Sequence, residues 1–493
     1  MPNREPSAVV IAVRVYPDTK KTDADFDPKK KRKDKWKLPD TMFVWDTETR
    51  TDKTQRLTFG SYRLVEAGHL VKENLFYGPT LPAADRHILE RYSATPKAIV
   101  AGEPAHHLSL LTRHEFVEKL FRAAYKGRFL LTAFNFPFDA ARVGRDSTKA
   151  KGRFTGGFSL NLWSYIDGVI ERGDRFRPSI CIKHIDSKRA LKGFTGRQKP
   201  DDVDRIPEGS TTGKPEKGYI FRGHFLDLRT LAFALTDRGY SLADACEAFG
   251  VEHGKQVVKR HGIVTKTYID YNRRDVLATS ELAVKLLEEY DRHPIDLQAT
   301  KAYSPASIGK SYLRAMGIPP ILERQPRFSK RYLGYAQSAF FGGRTSAHIR
   351  KVPVPIVYTD FLSMYPTVNS LMDLWSFVTA KKVTVVKDCQ EEIEVLLRQV
   401  TVDRLFEQSF WKRLTAFVRV IPDGDILPSR GRYTVQTNDW QVAVNHIYAG
   451  SSSPDDALWY SLPDIVASVL LNEGRIPKIV DAFRIEAHGQ LEG

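Results

Sequence analysis

Residues 41–290 predict an α/β fold, because strand and helix patterns alternate along this part of the chain. Two β-rich runs, Met42–Asp46 and Leu57–Leu64, are separated by a polar turn and predict a hairpin that begins a sheet. Residues 113–126 then place apolar side chains at helical spacing, and the apolar run Phe129–Phe134 that follows is typical of a buried strand.

The alternation is interrupted and then resumes. Between about 145 and 220 the chain is rich in Gly, Lys and Arg, and we expect insertion or binding loops there. A strand at Tyr219–Leu228, a helix at Ser241–Phe249 and a long helix from about Tyr268 to Tyr290 complete the α/β unit.

The composition indicates a globular protein of two or three domains with a polyanionic partner. The chain has 493 residues, and its net charge of +16 favours nucleic acid, although other basic proteins share this property. Its three cysteines, Cys181, Cys246 and Cys389, form no CxxC pair and no even set for disulfides, which favours a reducing compartment. No apolar run approaches the roughly 18 to 20 residues that span a bilayer, so we expect a cytoplasmic protein without membrane contact.

The segment 1–40 is expected to contain a first strand and a basic, flexible stretch. Charged residues are dense between 18 and 38, where aliphatic residues are few. The run Lys29–Lys33 resembles a nuclear-import signal, and a solvated basic patch is the alternative interpretation.

Three groups of polar residues follow predicted strands or lie on a predicted helix. Asp46 and Glu48 are two residues apart in a strand and therefore share one face, where a hard divalent cation would relieve their repulsion. An exposed strand end is the alternative. Asn135 and Asp139 follow the strand Phe129–Phe134, at the sheet edge where α/β folds place ligands, and an Asp that caps the next helix is the alternative.

The third group lies on the long helix. Tyr271 and Asp275 are four residues apart and share a helix face, and a solvated helical Asp is the alternative to a functional carboxylate.

In this order, the three groups resemble the motifs of the DEDD exonuclease superfamily with Tyr in the third motif. The segments Phe225–Thr230 and Ser241–Cys246 are also similar to the strand and helix that precede that motif. The spacing Asn-x-x-Phe-Asp at Asn135–Asp139 resembles family B DNA polymerases. The resemblance covers about 41–290 and implies a ribonuclease-H-like fold with 3′→5′ proofreading activity; the long stretch between the second and third motifs departs from the pattern and requires insertions.

The resemblance also implies a two-metal hydrolysis with Mg²⁺ or Mn²⁺. One cation would be held by Asp46, Glu48 and Asp275 and would activate water, and a second would be held by Asp46 and Asp139 and would stabilise the leaving 3′ oxygen. Tyr271 would orient the attacking water, Asn135 would contact the DNA, and the products would be deoxynucleoside 5′-monophosphates.

The string Tyr358–Pro366 closely resembles motif A of family B DNA polymerases. It begins within a predicted strand, Ile356–Asp360. The resemblance implies that Asp360 is a catalytic metal ligand and that Tyr365 excludes a ribose 2′-hydroxyl. The residues that it implies for nucleotide binding are Phe361, Leu362, Ser363, Met364 and Tyr365. A buried strand that ends in an aromatic turn is the alternative.

The segment 291–350 is rich in proline, and we expect a connector of short helices there. Its Phe340–Arg344 resembles the aromatic-x-Gly-Gly segment of the same family, which implies DNA contact by Gly342, Gly343 and Arg344; a plain β-turn is the alternative.

Residues 351–493 are expected to be the beginning of a family B polymerase domain, an incomplete α+β palm that includes a strand at Lys478–Glu486. The later motifs of a working palm are not found, so we expect an N-terminal piece or a truncated relative that does not extend primers alone. The expected partners are DNA, as a single-stranded 3′ end or a primer-template, with a C-terminal polymerase fragment or other replication proteins. The alternative function is a catalytically inactive nucleic-acid-binding remnant.

Overall fold

A computed structural model describes most of the chain. The described residues are 37–174, 177–195, 222–256, 258, 261–341, 349, 351–361, 363–428, 431–432, 440–441, 448–449 and 457–491. The fold is mixed α/β and has two compact units, the first reaching to Ala315 and the second beginning at Met316. No helix in these ranges is both long and apolar enough to cross a membrane.

The first unit contains twelve described strands and seven described α-helices. The strands are β1 (Thr41–Thr49), β2 (Leu57–Glu66), β3 (His69–Tyr77), β4 (Ser109–Thr112), β5 (Leu130–Ala133), β6 (Asp146–Lys149), β7 (Phe158–Asn161), β8 (Ser164–Asp167), β9 (Ile170–Gly173), β10 (Ile180–His184), β11 (Ala190–Phe194) and β12 (His224–Asp227). The helices are α1 (Ala83–Ser93), α2 (Arg113–Phe121), α3 (Phe136–Val143), α4 (Leu228–Thr236), α5 (Leu242–Ala248), α6 (Lys266–Asp291) and α7 (Pro305–Ala315).

A six-stranded mixed sheet forms the centre of this unit, in the order β12-β5-β1-β2-β3-β4. β1, β2 and β3 are antiparallel, whereas β5 runs parallel to β1 and β12 runs parallel to β5. Side chains of β1 alternate between two cores: Phe43 and Trp45 pack with α2 and α3, and Met42 and Val44 pack with α4, α5 and α6. Helices therefore cover both faces of the sheet.

Most predicted elements of this unit are confirmed. The hairpin is β1 and β2, the strand after residue 126 is β5, and the predicted helices at 241–249 and 268–290 are α5 and α6. The predicted strand Tyr219–Leu228 is present as β12, and its first three residues lie outside the described ranges.

The expectation of loops between 145 and 220 is wrong for residues 146–194. They form an antiparallel sheet in the order β11-β10-β7-β6 and a separate hairpin of β8 and β9. The strands are short, and glycines and basic residues interrupt their apolar pattern, but Leu160, Ile180 and Ile182 are buried. Residues 196–220, the remainder of this stretch, lie outside the described residues.

A buried ion network joins α6 to β2 and β3. The guanidinium of Arg273 donates from Nε and Nη2 to the two carboxylate oxygens of Glu73, at 2.7 and 2.8 Å. Arg63 donates to both oxygens of Glu103 at 2.9 Å and to Glu73 at 3.3 Å. We call Arg63, Glu73, Glu103 and Arg273 the compensated network, because its two positive and two negative charges balance.

The second unit is built around another antiparallel sheet. Its helices are α8 (Ile321–Arg324), α9 (Lys330–Ser338), α10 (Met364–Leu371), α11 (Leu374–Thr379), α12 (Gln390–Leu397), α13 (Gln408–Trp411) and α14 (Leu462–Leu471). Its strands are β13 (Ala380–Lys387), β14 (Ala416–Ile421), β15 (Asp425–Ile426), β16 (Gly431–Arg432), β17 (Trp440–Gln441), β18 (Tyr448–Ala449), β19 (Leu458–Ser461) and β20 (Lys478–Gln490). The sheet order is β13-β20-β14-β19, and β20 confirms the predicted C-terminal strand.

The predicted strand Ile356–Asp360 is wrong. Residues 353–361 have no regular secondary structure, and the side chains of Ile356 and Val357 are 81% and 90% exposed. Pro353 and Pro355 lack the N–H groups that a strand ladder requires, and no described strand pairs with this segment. The alternative of a buried strand is wrong for the same reason.

Candidate active site

Asp46 and Glu48 project from β1 toward α6, as the strand period predicts. They continue the face of Met42 and Val44, and both are partly buried, so the alternative of an exposed strand end is wrong. The Nδ2 group of Asn272 on α6 donates to Asp46 Oδ2 at 2.8 Å and lies 3.4 Å from Glu48 Oε1. One amide group therefore bridges the two predicted carboxylates.

The long helix brings four polar side chains to the same place. These side chains share one face of the helix over two turns: Tyr268, Tyr271, Asn272 and Asp275. Asp275 is only 3% exposed. The alternative of a solvated helical Asp is therefore wrong. The hydroxyl of Tyr268 donates to the carboxylate of Glu48, which ties the helix to β1 a second time.

Asp139 reaches the strand end from α3. Its Oδ1 accepts hydrogen bonds from the backbone N–H of Thr47 at 3.1 Å and from the Thr47 hydroxyl at 2.7 Å. Asn135 occupies the N-cap position of α3, although its side chain makes no capping bond, so the alternative of Asp139 as the cap is wrong. Asp139 is buried beside β1 as the second-motif interpretation requires.

Two charged residues that the sequence did not single out complete the surroundings. Lys255 Nζ lies 3.0 Å from Asp275 Oδ2, hydrogen-bonds to Tyr271 and sits 5.3 Å from the centre of that ring. Asp227, at the end of β12, is buried, and Lys192 Nζ lies 3.7 Å from its Oδ2.

Only part of this set had a signal in the sequence. Tyr268 and Asn272 share the helical face of Tyr271 and Asp275, so helical spacing could have identified them. Lys255 lies in an irregular segment between α5 and α6, where no periodic pattern points to it.

We call Asp46, Glu48, Asp139 and Asp275 the acidic cluster, because their charges act on one another. Burial raises the pKa of Asp46 well above its usual range, and the nearby charges of Asp139, Glu48 and Asp275 raise it further. Burial likewise raises the pKa of Glu48 to about 7 and that of Asp139 to about 7. Burial also raises the pKa of Asp275, against the opposing effect of Lys255.

The chemistry of the cluster fits a hard divalent cation. As the described side chains stand, no three His, Cys, Asp or Glu residues are grouped closely enough to hold a metal ion. Asp275 Oδ1 is nevertheless buried without a hydrogen-bond partner among the described residues, and burial raises the pKa of all four carboxylates. Oxygen ligands of this kind are those that Mg²⁺ and Mn²⁺ prefer, and a cation would relieve their repulsion.

Those residues predicted for the polymerase part that the structure describes are not assembled into a site. Asp360 is exposed and makes no hydrogen bond or ion pair with any described residue. Phe361 and Tyr365 are 81% and 69% exposed, and Ser363 and Met364 lie at the start of α10. The predicted residues Leu362, Gly342, Gly343 and Arg344 lie outside the described ranges.

Comparison with known proteins adds no relative. No protein-family model matches the chain, and no curated protein has a significantly similar sequence.

Proposed function

We propose that residues 41–290 form a metal-dependent 3′→5′ DNA exonuclease with a ribonuclease-H-like fold. The observation that supports this most is the acidic cluster. Three sequence groups, spread along the chain from Asp46 to Asp275, supply carboxylates that lie against one end of β1. An antiparallel β1-β2-β3 meander continued by the parallel strands β5 and β12 is consistent with the fold that the resemblance implies.

In this proposal the carboxylates divide between two cations. Asp46, Glu48 and Asp275 would hold one, and Asp46 with Asp139 would hold the other. Such cations activate water and stabilise the charge that develops on a phosphodiester during hydrolysis. The buried Asp275 Oδ1, which has no hydrogen-bond partner among the described residues, would serve as one ligand oxygen.

The remaining side chains would position these groups. Burial and the charge of Asp275 raise the pKa of Tyr271, so its hydroxyl stays protonated and would orient the attacking water rather than remove a proton from it. Lys255 holds both Tyr271 and Asp275, and Asn272 and Tyr268 hold the carboxylates of β1.

The alternative is a nucleic-acid-binding protein that no longer catalyses hydrolysis. The observation that favours it is the ion pair of Lys255 with Asp275, because the lysine already supplies a positive charge to the cluster.

An assay with 3′-labelled single-stranded DNA and Mg²⁺ or Mn²⁺ separates the two functions. Release of labelled mononucleotide that stops when EDTA is added supports the exonuclease. A 5′-labelled copy of the same strand controls for endonuclease cleavage, since an exonuclease shortens it one nucleotide at a time from the unlabelled end. Binding without cleavage under all metal conditions would favour the alternative.

The family B polymerase part of the proposal rests on the resemblance of Tyr358–Pro366. We expect that this chain alone does not extend a primer, because nucleotide transfer needs carboxylates from separate palm segments and Asp360 supplies one. Primer extension on a labelled primer-template tests this, with Asp360→Asn as the control. Extension by the unaltered chain that disappears in Asp360→Asn would contradict the expectation.

A further inference from the structure

A groove of about 360 Å³ opens beside α3, and basic side chains dominate its charged lining. Phe138 and Arg142 line it from α3, Lys188 lines it from the connection between β10 and β11, and Arg229 lines it from the first turn of α4. Three separate elements therefore contribute positive charge to one surface.

These three cations have no carboxylate partner among the described residues. Arg142, Lys188 and Arg229 form no ion pair with any described acid, whereas Arg189, which also lines the groove, is paired with Asp186 at 2.5 Å. Arg142 is held by Gln55, to which its Nη2 donates at 2.7 Å, and its guanidinium lies 4.4 Å from the centre of the Phe138 ring. The groove thus presents three cations that form no ion pair with a described acid; the charge of nearby Asp139 acts on Arg142 but lies beyond ion-pair distance.

Two donors in the groove also lack an acceptor. The Nε atoms of Arg142 and Arg229 are buried and have no hydrogen-bond partner in the described structure. Buried donors of this kind are costly unless an acceptor reaches them, and phosphate oxygens are strong acceptors for guanidinium groups.

The groove adjoins the acidic cluster. Asn135 and Asp227 border it, and Asp139 lies in α3 between the groove residues Phe138 and Arg142. Asp227 is paired with Lys192 and accepts a hydrogen bond from Thr230, so it adds little repulsion toward an anion.

We propose that this groove binds the sugar-phosphate backbone of the single strand whose 3′ end lies at the acidic cluster. The identification of the ligand as a DNA strand rests on the proposed function. Cations on three separate elements suit successive phosphates better than one phosphate, and Phe138 offers an aromatic surface for a base. The inserted sheet of β6, β7, β10 and β11 then serves the site, because it places Lys188 opposite α3.

The test measures DNA binding under conditions that prevent metal-dependent cleavage. Fluorescence anisotropy of a labelled oligothymidylate, in EDTA, is measured for the full chain and for Lys188→Ala/Arg229→Ala. The matched control is Arg172→Ala/Lys285→Ala, which removes two exposed cations outside the groove. Thermal unfolding of each variant verifies that the fold is kept, and Arg229→Lys tests whether charge alone is needed.

We expect the groove variant to bind roughly tenfold more weakly, with the slope of log K against log[salt] smaller by about 1.4, since each single-strand phosphate contact contributes about 0.7. In the control double variant, the loss of affinity and the change in the salt slope should each be less than half as large. Equal losses in the two double variants would overturn the proposal. Displacement of the oligonucleotide by inorganic phosphate or dTMP at equal phosphate concentration would also overturn it, since it would indicate a site for a single phosphate.

Failure of the nuclease proposal gives a different result. If the unaltered chain binds the strand through these residues but cleaves nothing under any metal condition, the groove is supported and the nuclease assignment fails. If cleavage is metal-dependent and the groove variant binds and cleaves like the control, the nuclease assignment stands and the groove fails.

Discussion

Two buried charged regions contact the same helix, α6, and they differ in how their charges are balanced. In the compensated network, Arg273 forms a two-pronged contact with Glu73, and no charge is in excess. In the acidic cluster, two residues further along the helix, Asp275 and its partners face Lys255 as the nearby cation. The comparison teaches that the two regions share burial and differ in charge compensation, and uncompensated buried charge is the property expected of a functional site.

The largest expected effect comes from removing one acid of the cluster. Asp275→Ala or Asp46→Ala should lower 3′→5′ nuclease activity by about 10³-fold or more, about 4 kcal/mol of activation free energy, because cation ligands are lost. The affinity for single-stranded DNA in EDTA should stay near normal, since it depends on basic and aromatic surface. Glu288→Ala, an exposed acid on the same helix, is the control for rate and affinity. Cleavage that survives unchanged in both cluster variants would remove the basis of the site assignment.

The next effect comes from breaking the compensated network. Arg273→Met leaves Glu73 buried with only the 3.3 Å contact to Arg63, which Glu103 shares, so one negative charge is in excess. This should lower the free energy of unfolding by about 3–5 kcal/mol, measured by urea denaturation. The double variant Arg273→Met/Glu73→Leu should recover a large part of this loss, because it removes the unpaired charge as well. Lys285→Met, on the exposed side of α6, is the control and should change stability by less than about 0.5 kcal/mol. A decrease in the free energy of unfolding no larger than that of the control would show that water reaches the network and screens its charges.

A smaller effect is expected from pH, and it arises in the acidic cluster. Burial raises the pKa of Glu48 from 4.5 to about 7 and that of Asp139 from 3.8 to about 7. A carboxyl group with a raised pKa binds more protons when folded, so its stabilisation is present below the unfolded pKa and is lost as pH rises through the folded pKa. The metal-free chain should therefore lose about 1–2 kcal/mol of stability between about pH 4 and pH 7 relative to Glu48→Gln.

Divalent cations should reverse this loss. At pH 8, above the pKa of about 7 of Glu48 and of Asp139, these two carboxylates are mostly ionised without metal and repel one another. Mg²⁺ should therefore raise the unfolding midpoint of the unaltered chain more than that of Glu48→Gln. The interpretation of the cluster as a cation site would be contradicted if the stability of the unaltered chain and that of Glu48→Gln changed equally with pH and with Mg²⁺.

The smallest expected effect concerns the support of Asp139. Thr47→Val keeps the shape of the side chain but removes the hydroxyl that donates to Asp139 Oδ1 at 2.7 Å, which should cost about 1 kcal/mol of stability. Because this bond lowers the pKa of Asp139, its loss should move the acid limb of the nuclease pH profile to higher pH, with a few-fold lower rate at neutral pH. Thr47→Ser, which keeps the hydroxyl, should leave the profile in place.

The sequence predicted those residues of the candidate site that lie on strands and helices. The strand period placed Asp46 and Glu48 on one face, and the helical period placed Tyr271 and Asp275 on another, because both periods are fixed by backbone geometry. Lys255 could not be predicted in this way, since an irregular segment has no period that states where its side chains point.

Patterns without a clear period gave the errors. Residues 146–194 form short strands whose apolar positions are few, so loop composition concealed a sheet that depends on tertiary pairing. Ile356–Asp360 was the opposite case: its β-branched residues favour a strand, but Pro353 and Pro355 precede it, and the segment has no described partner strand.

The forked contact of Arg273 with Glu73 also bears on the accuracy of placement. A helix that slipped along its axis by one residue would move Asp275 by about 1.5 Å, whereas metal–ligand distances tolerate only about 0.2 Å. Two parallel hydrogen bonds from one planar group fix both the height and the rotation of α6 beside β3, within two residues of Asp275. The compensated network can therefore fix the position of the Asp275 carboxylate even where it adds little net stability.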